Sequence, residues 1–397
     1  MIDRYIFPET ETKSSIILLG TRKAGKSTYL NERYPNSTYA DLLDPDTYDK
    51  YKSKRSAFLN EIETLKKTNK LIEPVIIDEI QKIPELLDSV HLLIEKYKIK
   101  FILCGSSARK LYRAGVNMLG GRAIGKRCFP LTYYEIVNSD IPFDLLKAMQ
   151  QGLIPDHYLN DTEYKHIIRT YVREYIDLEI KAEGLVRNVD SFYKFVNSIG
   201  FCNTDLMNYS NIARDCGVTA KTVKTYYDIL CETFMGSYIY PFKNSNKRQT
   251  ISSTPKFYLF DIGIANHLSK DNIESLDSSA AGKLFEHFIY LELLAYNEYK
   301  DRFADFYFWR TKHDIEVDFI ISQYKKVKVA IECKLSKNIR SRDLKSIEAF
   351  AEENDAEKLI LVSLDTSFII KQTKNGKDVY LMPYDMFLKD LWSGEFF

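Results

Sequence analysis

Long hydrophobic runs are missing from this chain. None approaches the roughly 18 apolar residues of a membrane-spanning helix, and the start MIDRYIFPETETK holds no uninterrupted apolar stretch of the signal-peptide kind. These absences predict a cytoplasmic protein with no membrane partner. Glycine (16) and proline (11) are sparse in 397 residues, which excludes fibrous repeats and low-complexity disorder. Cysteine is scarce too. Cys104, Cys128, Cys202, Cys216, Cys231 and Cys333 lie far apart with no C-x-x-C, so neither a zinc knuckle nor a disulfide framework is expected. They read as buried small hydrophobes. The six histidines are dispersed, with no H-E-x-x-H pair. Net charge is also nearly absent, with 56 Lys and Arg against 55 Asp and Glu. Any nucleic-acid contact must therefore come from a local basic patch rather than an overall field.

What remains is a soluble globular composition, 45% hydrophobic and 28% charged, long enough for two or three domains at about 100 to 200 residues each. The first third alternates short apolar runs (15–19, 74–77, 100–104) with helical stretches, the pattern of parallel β-α-β units. From about residue 130 to 200 apolar and aromatic residues recur at three- and four-residue spacing, as in Tyr164, Ile168, Tyr171, Val172 and Tyr175, predicting a helical lid or connector. Residues 201–240 read as helical with a turn inside, and 244–255 as a polar wing, loop or linker. The remainder begins with a helix over 282–296 and continues into segments 305–309, 315–321 and 327–335, an α/β unit with a mixed sheet. The expected divisions are 1–135, 136–200, 201–270 and 271–397.

Gly20, Thr21, Arg22, Lys23, Ala24, Gly25, Lys26 and Ser27, followed by Thr28, fit G-x-x-x-x-G-K-[ST] between an apolar strand and a polar helix, the context this phosphate-binding loop requires. Its glycines let backbone N–H groups turn around phosphate oxygens, and the helix N-terminus adds positive potential. Lys26 would reach the β- and γ-phosphates of ATP, and the Ser27 hydroxyl would bind Mg²⁺. Val75-Ile76-Ile77-Asp78-Glu79 is an apolar strand ending in two carboxylates: Asp78 to hold Mg²⁺ through water, Glu79 to polarise an attacking water. Ser106, after a third strand, is placed to sense the γ-phosphate, although a serine there also caps a helix. Arg109, Arg122 and Arg127 are candidates for a charge-stabilising finger, between which the sequence does not choose.

The segments GTRKAGKST, IIDEIQKIPEL, ILCGSSARKL and GRAIGKRCFPLTYYEI resemble bacterial and archaeal AAA-type P-loop ATPases that carry a C-terminal domain of uncharacterised function with a restriction-endonuclease-like fold. The resemblance extends through YLFDIGIANHL, GKLFEHFIYLEL, WRTKHDIEVDFII and AIECKLS. It implies ATP binding and a nuclease-like module. Where similar members often carry a glycine before the E-V-D segment, His313 and Asp314 stand here. The fold class expected is thus α/β: a P-loop parallel sheet, a helical and winged-helix middle, and a restriction-endonuclease-like end.

Residues 212–230 have the form of a helix, a turn at Gly217 and a second helix. Val218, Val223, Tyr227 and Leu230 would pack inward, leaving Lys221, Thr222, Lys224 and Thr225 to meet DNA. A winged-helix lid packed on the ATPase uses the same internal pattern. Nearer the C-terminus, strands 317–321 and 329–334 are joined by a turn at 323–326. A hairpin centred on that turn puts Asp318 opposite Ile331 and beside Glu332, with Glu332 and Lys334 on one face. Asp318 and Glu332 would coordinate Mg²⁺, Lys334 would orient water and balance phosphate charge, and Glu286 could add a carboxylate. Eight Lys or Arg between residues 321 and 345 face only Glu332 and Asp343, which suits a polyanion and equally a solvated surface. Two readings follow: an ATPase coupled to a DNA-cutting end, or a nucleotide-dependent switch whose nuclease fold only binds nucleic acid or a protein partner. A finger arginine supplied by a second copy would make it a homo-oligomer.

Overall fold

Strands that read as continuous apolar runs need cover on both faces, and the first sheet has it. In the computed structural model, which describes residues 2–6, 14–54, 56–107, 119–176, 188–243, 254–271 and 273–397, β1 (Ser15–Leu19), β2 (Tyr39–Asp41), β3 (Val75–Asp78), β4 (Phe101–Gly105) and β5 (Ala123–Arg127) form a parallel sheet ordered β2-β3-β4-β1-β5. Alternate residues serve two cores. Ile17, Leu19, Ile77 and Leu103 pack with Phe58, Ile62 and Val90, whereas Ile16, Leu18, Ile76 and Ile102 join the large core shared with the rest of the chain. Strands β2 and β5 were not among those expected. The first is three residues long, and the second carries exposed Ile124 and Gly125 at the sheet edge, so neither shows an apolar run.

Short helices follow (Tyr133–Val137, Leu145–Gln151, Pro155–Tyr158, Tyr164–Thr170), then a π-helical turn over Tyr171–Ile176. Helices Val189–Cys202, Tyr209–Cys216 and Ala220–Glu232 come next, capped at their starts by Asn188, Asn208 and Thr219. Gly217, at φ 67°, ends one helix in the left-handed conformation and lets the chain turn into the next.

The second sheet has eight strands: β6 (Gly236–Pro241), β7 (Lys256–Leu259), β8 (Asp305–Arg310), β9 (Glu316–Gln323), β10 (Lys326–Lys334), β11 (Lys358–Ser363), β12 (Ile369–Gln372) and β13 (Asp378–Pro383). Their order is β12-β13-β11-β10-β9-β8-β6-β7, and the sheet is mixed, with β6–β8, β10–β11 and β11–β13 parallel. β6 and β7 precede residue 271, so one sheet runs across that expected division. Residues 244–253 of the expected wing lie outside the described residues. Helix Ser279–Tyr299, longer at both ends than expected, covers one sheet face, and helix Lys345–Glu353 covers the other.

The β9–β10 hairpin corrects the expected register. It leaves its turn as anticipated, with Lys326 opposite Gln323 and Val327 opposite Ser322, but a bulge before Val329 shifts the remainder by one, pairing Ile331 with Phe319. The next pair in that register is Glu332 with Asp318. Directly opposite residues share a face of the sheet, so the bulge puts Asp318 on the Glu332 side instead of the Ile331 side.

Helix Ser279–Tyr299 also fixes the two sheets to each other. The Glu292 carboxylate accepts Tyr133 N at 2.7 Å and the Trp392 indole Nε1 at 2.9 Å, Glu298 Oε1 accepts Arg127 N at 2.8 Å, and Tyr299 Oη accepts Phe129 N at 3.0 Å. Burial pushes the Glu292 carboxyl up to about 8, against the pull of those two donors. The folded protein therefore holds a proton there that the unfolded chain, ionising near 4.5, releases. This contribution to stability is complete below pH about 4.5 and is lost as pH rises to about 8, at roughly 1.4 kcal/mol per pH unit. Urea unfolding across that window should show the decline, and Glu292→Gln, whatever its absolute stability, should lack this component of the slope.

Candidate functional site

The loop after β1 sits where three strand ends meet. Gly20 is required by packing, since a Cβ there would lie 2.3 Å from the Cys128 carbonyl oxygen. Lys23 (φ 60°) and Gly25 (φ 89°) take left-handed conformations that fold the loop over the start of helix Lys26–Arg33. Lys26 Nζ donates to Gly20 O and Thr21 O, 2.8 Å each, which holds the buried ammonium across the loop. Ser27 Oγ donates to Asp78 Oδ2 at 2.7 Å, and Tyr39 Oη donates to the same oxygen at 2.8 Å. The two expected Mg²⁺ ligands thus meet although β4 lies between their strands.

Glu79 follows in a left-handed conformation (φ 55°), an unusual state for a residue with a Cβ. Burial pushes its carboxyl up; Lys26 and Arg22 oppose that shift and Asp78 adds to it. The Gln81 amide donates to Glu79 Oε2 and, at 3.0 Å, to Ser106 Oγ, tying the expected water-polarising and phosphate-sensing residues together. Gly105 makes room for it, because a Cβ there would meet Gln81 Oε1 at 2.4 Å. Arg122 is paired with Glu95, and Arg127 lies half-buried over the Phe129 and Phe234 rings, so both finger candidates are engaged elsewhere. Arg109 lies outside the described residues.

Three contributors were not legible in the sequence: Tyr39, Gln81 and Arg4. The Arg4 guanidinium, 5% exposed, donates to Ala24 O inside the loop, to Glu135 Oε1 at 2.9 Å and to Phe129 O at 2.7 Å. From the other side, Tyr171 Oη donates to Arg22 O at 3.2 Å and Lys23 pairs with Asp156 at 2.9 Å. The loop is thus braced by elements far from it in sequence. Thr21 Oγ1 is buried with no partner among the described residues. An ammonium, a hydroxyl next to a carboxylate and a helix N-terminus form a donor set that fits a nucleotide triphosphate with Mg²⁺.

The second candidate centre lies on β9 and β10. Asp318 Oδ2 accepts Cys333 N at 2.8 Å, and Lys334 Nζ pairs with Glu332 Oε1 at 2.5 Å. Burial together with Glu332 and Glu286 holds the Asp318 carboxyl well above the usual carboxylate range, opposed by Lys256 and Lys334. Burial also raises Glu332, with Lys334 opposing. Glu286 Oε1 already accepts from Lys256 Nζ at 3.1 Å and Tyr258 Oη at 2.5 Å, and Lys256 also pairs with Glu316. Among the described residues no three His, Cys, Asp or Glu side chains form a metal cage. Asp318 and Glu332 face each other, and Glu286 lies near enough to raise both carboxyls while its Oε1 is held by Lys256 and Tyr258. Asp314, in the turn before the E-V-D segment, takes a left-handed φ of 59° and is paired with Arg310 at 2.8 Å. In the helix pair at 209–232, Val223, Tyr227 and Leu230 are buried, and Lys221, Lys224 and Thr225 are exposed as expected. Thr222 instead bonds the capping Thr219.

Residues 12–137 match the family described as AAA domain, residues 143–275 a domain of unknown function (DUF8612), and residues 281–383 a domain of unknown function (DUF4143). The chain thus carries an AAA-type P-loop ATPase domain and a DUF4143 C-terminal domain. No curated protein matches it. Solved structures similar to it include the Walker-type ATPase of Pyrococcus abyssi, at 15% identity over 64% of this chain and 90% of that one with a TM-score of 0.40. Another is the Orc1 protein of Aeropyrum pernix in complex with DNA, at 10% identity over 65% and 87% with a TM-score of 0.26. A third is a signal transduction ATPase with a tetratricopeptide repeat sensor from Pyrococcus horikoshii, at 11% over 75% and 49% with a TM-score of 0.22. Among the described residues no helix is long and apolar enough to cross a membrane.

Removing Arg4 strands the buried Glu135 and releases the Ala24 carbonyl. Arg4→Met should cost about 3 to 5 kcal/mol in urea unfolding and weaken binding of a fluorescent ATP analogue. Arg4→Met with Glu135→Met should recover only part of the stability, since Tyr5 N and Thr132 N lose their acceptor as well, and none of the nucleotide affinity.

Proposed function

We propose that this protein hydrolyses ATP at the loop of residues 20–28 and uses the nucleotide state to control a C-terminal centre that cuts DNA. The observation that carries the reading is the facing pair Asp318 and Glu332 with Lys334 beside them, on a scaffold joined to the nucleotide site by one continuous helix. At the nucleotide site, Lys26 and the loop backbone bind the phosphates, Ser27 and Asp78 would hold Mg²⁺, and Glu79, kept in place by Gln81, orients the attacking water. At the C-terminal centre, Asp318 and Glu332 would hold a second Mg²⁺, with remaining positions left to water and phosphate oxygens, as this ion prefers. When bound there, such an ion would supply Lewis-acid polarisation of the scissile phosphate. Lys334 balances carboxylate charge and stands where it can orient a water. Exposed Lys221, Lys224 and Thr225, in a winged-helix-like setting, would position duplex DNA. The restriction-endonuclease-like fold of this end belongs to the same proposal.

The engagement of Glu286 by Lys256 and Tyr258 favours a second reading, in which the C-terminal fold binds nucleic acid or a protein partner without cutting. A cleavage assay with Mg²⁺ on duplex and single-stranded DNA and on RNA, with and without ATP, separates the two. Under the first reading Asp318→Ala abolishes cutting and leaves ATP hydrolysis intact, while Lys26→Ala lowers hydrolysis at least a hundredfold, on the order of 3 kcal/mol in the barrier. Full cutting by Asp318→Ala would sink the nuclease reading, and no cutting by the wild type with any metal would support the binding switch.

A further inference from the structure

At the far end of β9 from Asp318 the hairpin turns through Tyr324 and Lys325, and both take left-handed conformations, φ 49° and 67°. A two-residue turn with both central residues left-handed ordinarily uses Asn-Gly, because a Cβ is penalised there. Here a tyrosine and a lysine occupy it, and Tyr324 is 87% exposed, the most exposed large side chain among the described hydrophobics. Retaining strained residues in this way is a mark of functional positions.

Lys325 of this turn, next to Tyr324, lines an open groove of about 1130 Å³ between the sheet and the chain after helix Lys345–Glu353, together with Tyr240, Phe242, Lys243, Tyr307 and Lys326 among others. Tyr240 pairs with Tyr307 across β6 and β8, and is half exposed. The Phe242 ring lies 5.8 Å from that of Tyr307. The groove's carboxylates are already neutralised: Glu357 by Lys328 at 2.7 Å and Asp355 by Lys377 at 2.8 Å. Among the described residues no carboxylate pairs with Lys243, Lys325 or Lys326. The groove therefore combines surplus positive charge with aromatic faces.

Bases stack on aromatic rings whatever their sequence, while lysines track the phosphates, and only an unpaired strand offers both together. We infer that this groove and the turn beside it bind single-stranded nucleic acid, with bases stacked on Tyr240 in the groove and on Tyr324 of the adjoining turn, and phosphates held by Lys243, Lys325 and Lys326. An acidic peptide would use the lysines but gain nothing from stacking. The inference deepens the reading of the C-terminal half as a nucleic-acid module. Its affinity is measured apart from cleavage, so an inactive carboxylate centre leaves it standing.

The test is fluorescence anisotropy of a labelled twelve-residue oligo(dT) with the full chain, in EDTA so that no strand is cut. Tyr324→Ala should weaken binding about five- to hundred-fold, Tyr324→Phe should retain it, and Lys325→Ala should reduce the salt slope by about 0.7. The paired change Tyr324→Asn with Lys325→Gly suits the turn, and should raise Tm by a few degrees while lowering affinity, so the loss cannot be assigned to unfolding. Undiminished binding by that pair would overturn the proposal, as would failure of the wild type to bind. Displacement of the oligonucleotide by poly-glutamate as effectively as by unlabelled oligo(dT) would overturn it in favour of a protein ligand.

Discussion

Everything in this molecule hangs on helix Ser279–Tyr299 and on the acidic and phenolic groups it carries into a buried seam. A helix buried on most sides ordinarily presents only apolar residues. This one supplies Glu292, Glu298 and Tyr299 as acceptors for the backbone of Tyr133, Arg127 and Phe129, which leave the edge strand of the nucleotide-binding sheet. Near its other end Glu286 reaches Lys256 and Tyr258 on β7. Burying these carboxyls is costly, and the cost is offset only while the donors stay in place. Geometry between the two sheets is thereby specified more tightly than apolar packing alone would specify it.

The nucleotide loop shows the same dependence at smaller scale. Its own residues bring the glycines, the lysine and the serine, but its shape is held by Arg4 beneath Ala24 and by Tyr171 and Asp156 beside Arg22 and Lys23. Arg4 also donates to Phe129 O and lies 3.5 Å from Tyr299 Oη, at the end of the long helix. A rearrangement of the loop on hydrolysis thus meets the helix that ends, some 13 residues away or about 20 Å, at the Glu286 cluster. The proposed coupling between the two centres rests on this contiguity.

Much of this was legible in residue order, and the reasons are local. The phosphate loop, the carboxylates after β3 and the pair of helices around Gly217 depend on neighbours within a few positions, where turn chemistry and hydrophobic period act. Strands β2 and β5 escaped because one is too short and the other too exposed to show a period. The register of β9 and β10 escaped because a bulge leaves no mark in an alternating pattern, yet it decides whether Asp318 shares a face with Glu332.

By itself, then, the sequence determined which chemical groups this protein has and the strands and helices on which they ride, since both follow from short-range sterics and periodicity. Tertiary structure alone decided which of those groups meet. Ser27 reaches Asp78 across an intervening strand, Arg4 reaches Ala24, and Glu286 is held by Lys256. Such meetings depend on packing between segments tens to hundreds of residues apart, where no local rule operates.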